Sequence, residues 1–236
     1  MKHRVSVALA CHNGEECILE QINSILVNLD EDDELVISDD GSTDKTIAIV
    51  KKAAKNDKRI RLVHSLKKGV TANFMNAMMN CKGDYIFLSD QDDIWFDNKV
   101  KTIVPLLANH DLVVHDCIVT NTVTSSILYS SFFEFRKSGP GVGKNLLKNT
   151  YIGCCMAFSR KLMKKVLPIP GDIPMHDQWI GILNDIFYKN TLFLKKPLIF
   201  YRRHNNNVSS FNHYPINKMI KARVILLKEL GYKLCK

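Results

Sequence analysis

The sequence predicts an α/β fold, a single Rossmann-like domain whose central sheet is mostly parallel and covered by helices on both faces. Three observations predict it. Through the first half, short Val- and Ile-rich segments alternate with amphipathic helical stretches. The strand segments are nearly continuously apolar, the pattern of parallel strands buried on both faces. Three polar clusters, CHNGEE (11–16), DDGSTD (39–44) and DQDD (90–93), follow three of those strands, at the carboxyl ends where open α/β sheets bind ligands.

Each element follows in order. RVSVALA (4–10) reads as the first strand, and Ile18, Ile22, Ile25 and Leu29 form one helical stripe after it. ELVISD (34–39) is the second strand, followed by a helix with Ile47, Val50 and Ala54 inward. IRLVH (60–64) precedes a helix over 71–81. DYIFLS (84–89) runs into the acidic cluster, and Val100, Ile103, Val104 and Leu107 mark the next helix. The second half is less regular. LVVHDCIV (112–119) is a strand, and residues 134–150, with three Gly and a Pro, read as a mobile loop that excludes water from a bound substrate. IGCCMAFSRKLMKKV is a strand and then a helix. A helix over 177–188 carries Trp179, Leu183, Ile186 and Phe187, residues 191–204 form a strand pair, and a final helix closes the chain.

Composition narrows the function. With 46% hydrophobic and 24% charged residues the chain is not disordered, and no apolar run reaches the eighteen or so residues of a spanning helix. The basic then apolar N-terminus is a core strand, since no small-residue cleavage site follows it. Seven scattered cysteines without C-x-x-C spacing argue against a disulfide framework or zinc site and place the chain in the cytoplasm. The net charge of +9 suggests an acidic partner. Nucleic acid is disfavoured: there is no basic stripe with interleaved aromatics, and the acidic clusters repel phosphate backbones.

Familiar phosphate-loop patterns fail. No G-x-G-x-x-G follows the first strand, GPGVGK (139–144) is too short for a P-loop and continues into Asn145, and Trp95 and Lys101 break an EF-hand. What remains is a D-x-D at a strand end. Asp90 and Asp92, at i and i+2, can both reach one hard divalent cation, Mn²⁺ or Mg²⁺, that neutralises a diphosphate. The bland alternative is that these residues cap the helix near 97. In DDGSTD, Ser42, Thr43 or Asp44 can cap the next helix, but capping does not explain two carboxylates before Gly41. One of them can accept a nucleobase ring N–H.

RVSVALACHNGEE, ISDDGSTDKT, GDYIFLSDQDDIW, IGCCMAFSRKL, MHDQWIG and YRRHNNNVS occur in this order across nearly the whole chain. Together they resemble the family 2 glycosyltransferases of the GT-A fold. The subset SDQDDIW, GC-x-x-AF, HDQW and YR-x-H-x-x-N is most similar to bacterial rhamnosyltransferases and related enzymes of cell-surface polysaccharide synthesis.

The resemblance implies an inverting, metal-dependent transfer of a sugar, rhamnose among the options, from a dTDP- or UDP-sugar to a glycan or lipid-linked acceptor. It implies a GT-A domain over 1–205, with a nucleotide half (1–110) and an acceptor half (111–205), and a helical tail over 206–236. Ala10, His12 and Asn13 then line the base and ribose pocket, Asp40 accepts the pyrimidine ring N–H, and Asp39 supports it. Asp92 is the metal ligand, with Asp90 nearer the sugar or metal and Asp93 behind. Asp177 is the general base, kept ionised by the helix N-terminus it opens, with Asp116 the next candidate. Arg203 and His204 reach the diphosphate or metal, and Trp179 touches the acceptor. Thr71-Ala72-Asn73-Phe74 stands where many relatives have Ala-Arg-Asn, so that Arg's contacts with the donor sugar are not carried over. The rival readings are a non-catalytic nucleotide-sugar-binding relative and a basic nucleic-acid-binding module. In the last helix, Ile220, Val224, Leu227 and Leu234 share a face flanked by Lys218, Lys221, Lys228 and Lys236. That face either docks on the core or makes a peripheral contact with the inner face of the cell membrane.

Overall fold

The computed structural model describes residues 3–122, 124, 126–203 and 215–235. Its first half is the expected alternation: β1 (Val5–Cys11), α1 (Ile18–Leu26), β2 (Glu34–Asp39), α2 (Thr46–Asn56), β3 (Ile60–His64), α3 (Val70–Asn80) and β4 (Tyr85–Ser89). β2 and β4 are buried along their whole length, because helices cover both faces of the sheet. Ile18, Ile22 and Ile25 of α1 are fully buried. In α2 the inward stripe is Val50 with Ile49, Ala53 and Ala54, displaced from the expected Ile47.

The sheet order is β3-β2-β1-β4-β8-β6-β9-β5, where β5 is Ile94–Trp95, β6 Leu112–Asn121, β8 Met156–Ser159 and β9 Thr191–Arg203. The first half of the sheet, β3-β2-β1-β4, is wholly parallel. β8 pairs antiparallel with both β4 and β6, joining the halves, and β6 runs parallel to β9. β7 (Ser126–Tyr129) adds an antiparallel pair to β6. The sheet is therefore mixed, with its parallel part beneath the three polar clusters.

Two segments depart from expectation. Residues 191–203 form one long strand rather than a pair. The register between β6 and β9 slips after His115 and again after Asp116, so Lys195 and Lys196 have no partner on β6 and Pro197, opposite Asp116, sits between the two slips. Pro has no N–H to give the ladder, so such a break is where a strand tolerates it. Nor is 134–150 a loop, since it contains most of α5 (Phe132–Arg136) and all of α6 (Val142–Leu147). Ser131 Oγ accepts the Glu134 N–H and caps α5. Buried Asn145 donates to the Gly139 and Gly141 carbonyls and accepts from Thr150 N–H and Oγ1. Side-chain hydrogen bonds thus fix a stretch whose Gly and Pro content reads as flexible.

The remaining helices are α4 (Lys99–Leu107), α7 (Arg160–Val166), α8 (His176–Phe187) and α9 (Ile216–Leu234). Leu226 and Leu230 of α9 belong to the same hydrophobic cluster as the sheet.

Candidate active site

The loops after β1, β2 and β4 are joined by side chains. Asn13 takes a left-handed conformation (φ 47°), where Asn is tolerated better than most residues. Its N–H donates to Ser42 Oγ (2.9 Å), and its Oδ1 accepts the Thr43 N–H (2.8 Å). Gln91 accepts the His12 N–H (2.8 Å) and donates to the His12 carbonyl (3.1 Å). Gly14 permits that approach, since a Cβ there would stand 2.5 Å from Gln91 Oε1. Ala10 is half-buried in β1, directly before this junction.

The two Asp residues at the end of β2 do different work. Asp39 is buried and accepts from the Gly41 and Ser42 N–H groups, the Ser42 hydroxyl and the Cys11 thiol. Burial pushes its carboxyl up, but these donors outweigh it and hold the group below the usual carboxylate range. Asp39 therefore shapes the turn. Asp40 Oδ2 accepts the Gly69 N–H at 2.7 Å, and Oδ1 lies 2.8 Å from His12 Nδ1 without hydrogen-bond alignment. That buried oxygen has an acceptor position for a ligand N–H. Gly69 also lines a groove of about 330 Å³, together with Lys68, Thr71, Met75 and Ile173 among others.

Past β4 the carboxylates crowd. Asp90 is pushed up to about 7, first by burial and then by the charges of Asp92 and Asp177. Asp93 is fully buried and raised further by burial, Asp92 and Asp90, while its Oδ2 has no hydrogen-bond partner. Crowded carboxylates of this kind, hard oxygen donors, suit a divalent cation. Asp90, Asp93 and Cys154 bring ligand atoms within 4.8 Å of one another. Cys154 is an unsuitable ligand, since burial and adjacent carboxylates hold it as a thiol. Asp93 Oδ1 is also occupied by the Arg202 N–H at 3.2 Å. Asp92, half-buried like Asp90, adds its charge to both Asp90 and Asp93.

Asp177 is the second residue of α8, behind Met175 as N-cap. Its Oδ1 accepts from Asn149 Nδ2 (3.2 Å) and the Gln178 N–H (2.6 Å). Burial nevertheless raises it to about 6, so desolvation outweighs the helix N-terminus expected to keep it low. It remains largely ionised at neutral pH. Asp116, the reserve candidate, is unsuited: its Oδ1 takes the Cys117 and Phe133 N–H groups and its Oδ2 the Ser131 hydroxyl. Trp179 is no acceptor platform, because it is fully buried with its indole N–H on the Val166 carbonyl. Arg203 is half-buried and donates to Tyr201 Oη at 3.4 Å. His204 lies outside the described residues.

The Gly153–Cys155 turn lies between Asp177 and the acidic cluster. The Gly153 N–H supports Asp177, and the Cys154 thiol lies within 4.8 Å of Asp90 and Asp93. The fully buried Lys99 ammonium, 3.7 Å from the Trp95 ring centroid, donates to the Cys154 carbonyl at 2.9 Å. Buried His176, stacked on Phe74 at 4.1 Å, packs against Gly153 so tightly that a Cβ would lie 2.7 Å from Nε2. Gly153→Ala is therefore expected to destabilise the protein by about 1–3 kcal/mol and to lower turnover more than donor affinity. Thermal melts and separate kcat and donor Kd measurements check it, and a variant with wild-type melting and turnover would refute the tight fit. Gln91, Asn149, Lys99 and Arg202, which donates to the Asp92 carbonyl and Glu20, carry no local sequence signal.

A doubly covered parallel half with crowded carboxylates at the carboxyl ends of its strands defines an α/β domain with a ligand site at that edge. The chain belongs to glycosyl transferase family 2, whose family model matches residues 6–167. It is 29% identical to the dTDP-rhamnosyl transferase RfbG of Shigella flexneri, covering 84% of this chain and 72% of RfbG. It is 26% identical to the UDP-Glc:alpha-D-GlcNAc-diphosphoundecaprenol beta-1,3-glucosyltransferase WfgD of Escherichia coli, over 77% of this chain and 70% of WfgD. Among solved structures it resembles S. aureus TarS 1–349 in complex with UDP-GlcNAc, with a TM-score of 0.68, 17% identity, and coverage of 94% and 65%. It also resembles the mannosyltransferase PcManGT from Pyrobaculum calidifontis in complex with GDP-Man and Mn²⁺, at TM-score 0.61, 19% identity, and coverage of 84% and 55%. The chain thus spans less than two thirds of these structural relatives, which share its GT-A fold.

Proposed function

We propose that this chain is an inverting, metal-dependent glycosyltransferase. In this reading it moves a sugar from a dTDP- or UDP-linked donor to a glycan or lipid-linked acceptor at the cytoplasmic face of the membrane. The observation that carries it is the convergence of Asp177 with the Asp90–Asp93 cluster, close enough that its charge raises Asp90. RfbG, a dTDP-rhamnosyl transferase, supports rhamnose as the transferred sugar, and WfgD supports a lipid diphosphate acceptor.

The chemistry is a single displacement. Asp177 takes the proton of an acceptor hydroxyl as that oxygen bonds to the anomeric carbon from the face opposite the leaving group. The bond from that carbon to the diphosphate oxygen breaks, its electron pair leaves with the nucleoside diphosphate, and the configuration inverts. Asp92 with Asp90 would hold a divalent cation, which supplies positive charge to the departing diphosphate. Asp40 receives the base, while Gln91 and Asn13 hold its pocket closed.

Base selectivity tests the donor side. Uracil and thymine carry a ring N–H for Asp40 Oδ1, whereas cytosine presents a lone pair at N3. Facing that lone pair with a buried carboxylate costs a few kcal/mol, so UDP and dTDP should bind at least about 10²-fold more tightly than CDP. Calorimetry with UDP, dTDP, GDP and CDP, with and without Mn²⁺, reads this directly. Equal affinity for CDP and UDP would remove Asp40 from the base pocket.

A further inference from the structure

α9 presents two apolar stripes, and the core takes only one. Leu226 and Leu230 are 1% and 5% exposed. Polar contacts fix the same side, because the Arg223 guanidinium donates to the Leu147 carbonyl and Lys233 Nζ donates to the Leu167 carbonyl at 3.2 Å. The second stripe is Ile216, Ile220, Val224, Leu227 and Leu234, exposed by 75%, 57%, 59%, 55% and 50%. At about 100° per residue these five fall within an arc of roughly 80°, rotated away from Leu226 and Leu230. Leu147, 70% exposed, lies beside Arg223 and extends the patch.

Charge identifies the occupant. Lys221 and Lys228 border the stripe on one side, both exposed, and the helix's single acid, Glu229, lies on the far side. A second copy of the chain would bring these lysine rows together unless they were offset. An anionic lipid surface complements them. No helix among the described residues is long and apolar enough to cross a membrane, so α9 fits the interface plane, not the bilayer interior.

We propose that α9 and Leu147 form a surface that docks the protein on anionic phospholipid. The inference rests on the proposed acceptor class, to which it adds a geometric reason. Leu147 is held by α9, and two residues on, Asn149 donates to Asp177. Docking therefore sets the base on the bilayer side of the molecule, where a lipid-linked hydroxyl arrives from the membrane plane.

The test is co-sedimentation of the full chain with phosphatidylcholine vesicles and with vesicles containing phosphatidylglycerol. It compares the wild type with an Ile220→Ser, Val224→Ser, Leu227→Ser triple variant and with Lys221→Ala, Lys228→Ala. The wild type is expected on the anionic vesicles only, less so at high salt. The triple variant should partition about tenfold or more weakly, and the lysine variant should lose its preference for anionic lipid. Both should keep the wild-type melting temperature and UDP affinity in vesicle-free solution. That binding reads the glycosyltransferase proposal independently, so the two can fail separately. Wild-type protein that ignores anionic vesicles, or a triple variant that binds them equally, overturns the docking surface. So does a wild-type dimer that the triple variant converts to a monomer without change in vesicle binding, which would make a second copy the occupant.

Discussion

Asp177→Asn is expected to abolish transfer, by roughly 10²–10⁴-fold, while leaving donor affinity and fold intact. The Asn side chain keeps the shape and an Oδ1 that accepts from Asn149 and Gln178, as Asp177 does. What it loses is the capacity to take a proton. Burial raises Asp177 from 3.8 to about 6, and a base acts only when ionised, so wild-type turnover should rise with pH through about 6 and then level. The stability linkage has the opposite sense. A carboxyl raised in the folded state favours folding when neutral, so its contribution is full below the unfolded value of about 3.8 and is lost as pH rises through about 6. The Asn variant escapes that loss and should melt no lower than wild type at pH 7–8. Initial rates of nucleoside diphosphate release, calorimetry with UDP and thermal melts give the three readings. Turnover within a few-fold of wild type would move the base elsewhere, and Asp116, with both oxygens occupied by α5 and β6, would not inherit the role.

What the sequence made legible was whatever repeats at short range. Ile18, Ile22 and Ile25 at helical spacing, and unbroken runs such as ELVISD, mark buried faces because burial and periodicity share one cause. The D-x-D and DDG clusters were visible because a strand end confines them to one edge of the sheet. The misreadings share a different cause. Asn145 orders residues 139–150 through its side chain, which composition cannot register. Asp177 was expected to stay low from its place at a helix start, yet its ionisation is governed by burial, a property of the whole fold. Trp179 was assigned both to the apolar stripe of α8 and to the acceptor, and packing allows only the first. Gln91 meets a partner 79 residues away, Asn149 one 28 away and Arg202 one 110 away. No window along the chain contains those pairs.

Removing the divalent cation with EDTA, or changing Asp92→Asn, is expected to eliminate transfer and weaken Mn²⁺-dependent nucleotide binding by about 10²-fold. Asp93→Asn should do neither. Asp93 is fully buried, its Oδ1 receives the Arg202 N–H, and its carboxyl is raised well above the usual range by burial and its neighbours. An amide keeps that acceptor and relieves a buried negative charge, so the variant should be as stable as wild type or more so. Asp92 differs in being half-buried, at the mouth of the cluster, where a diphosphate and its cation can arrive together. Calorimetric titration of UDP with and without Mn²⁺ on both variants separates the assignments. Full activity in EDTA would leave the crowded carboxylates without the counter-charge that their raised pKa values call for. A larger loss of Mn²⁺ dependence in Asp93→Asn than in Asp92→Asn would place the ion on the Asp90–Asp93 pair. That placement would use Asp93 Oδ2, which accepts no hydrogen bond, and would seat the ion on a fully buried carboxyl instead of the half-buried Asp92.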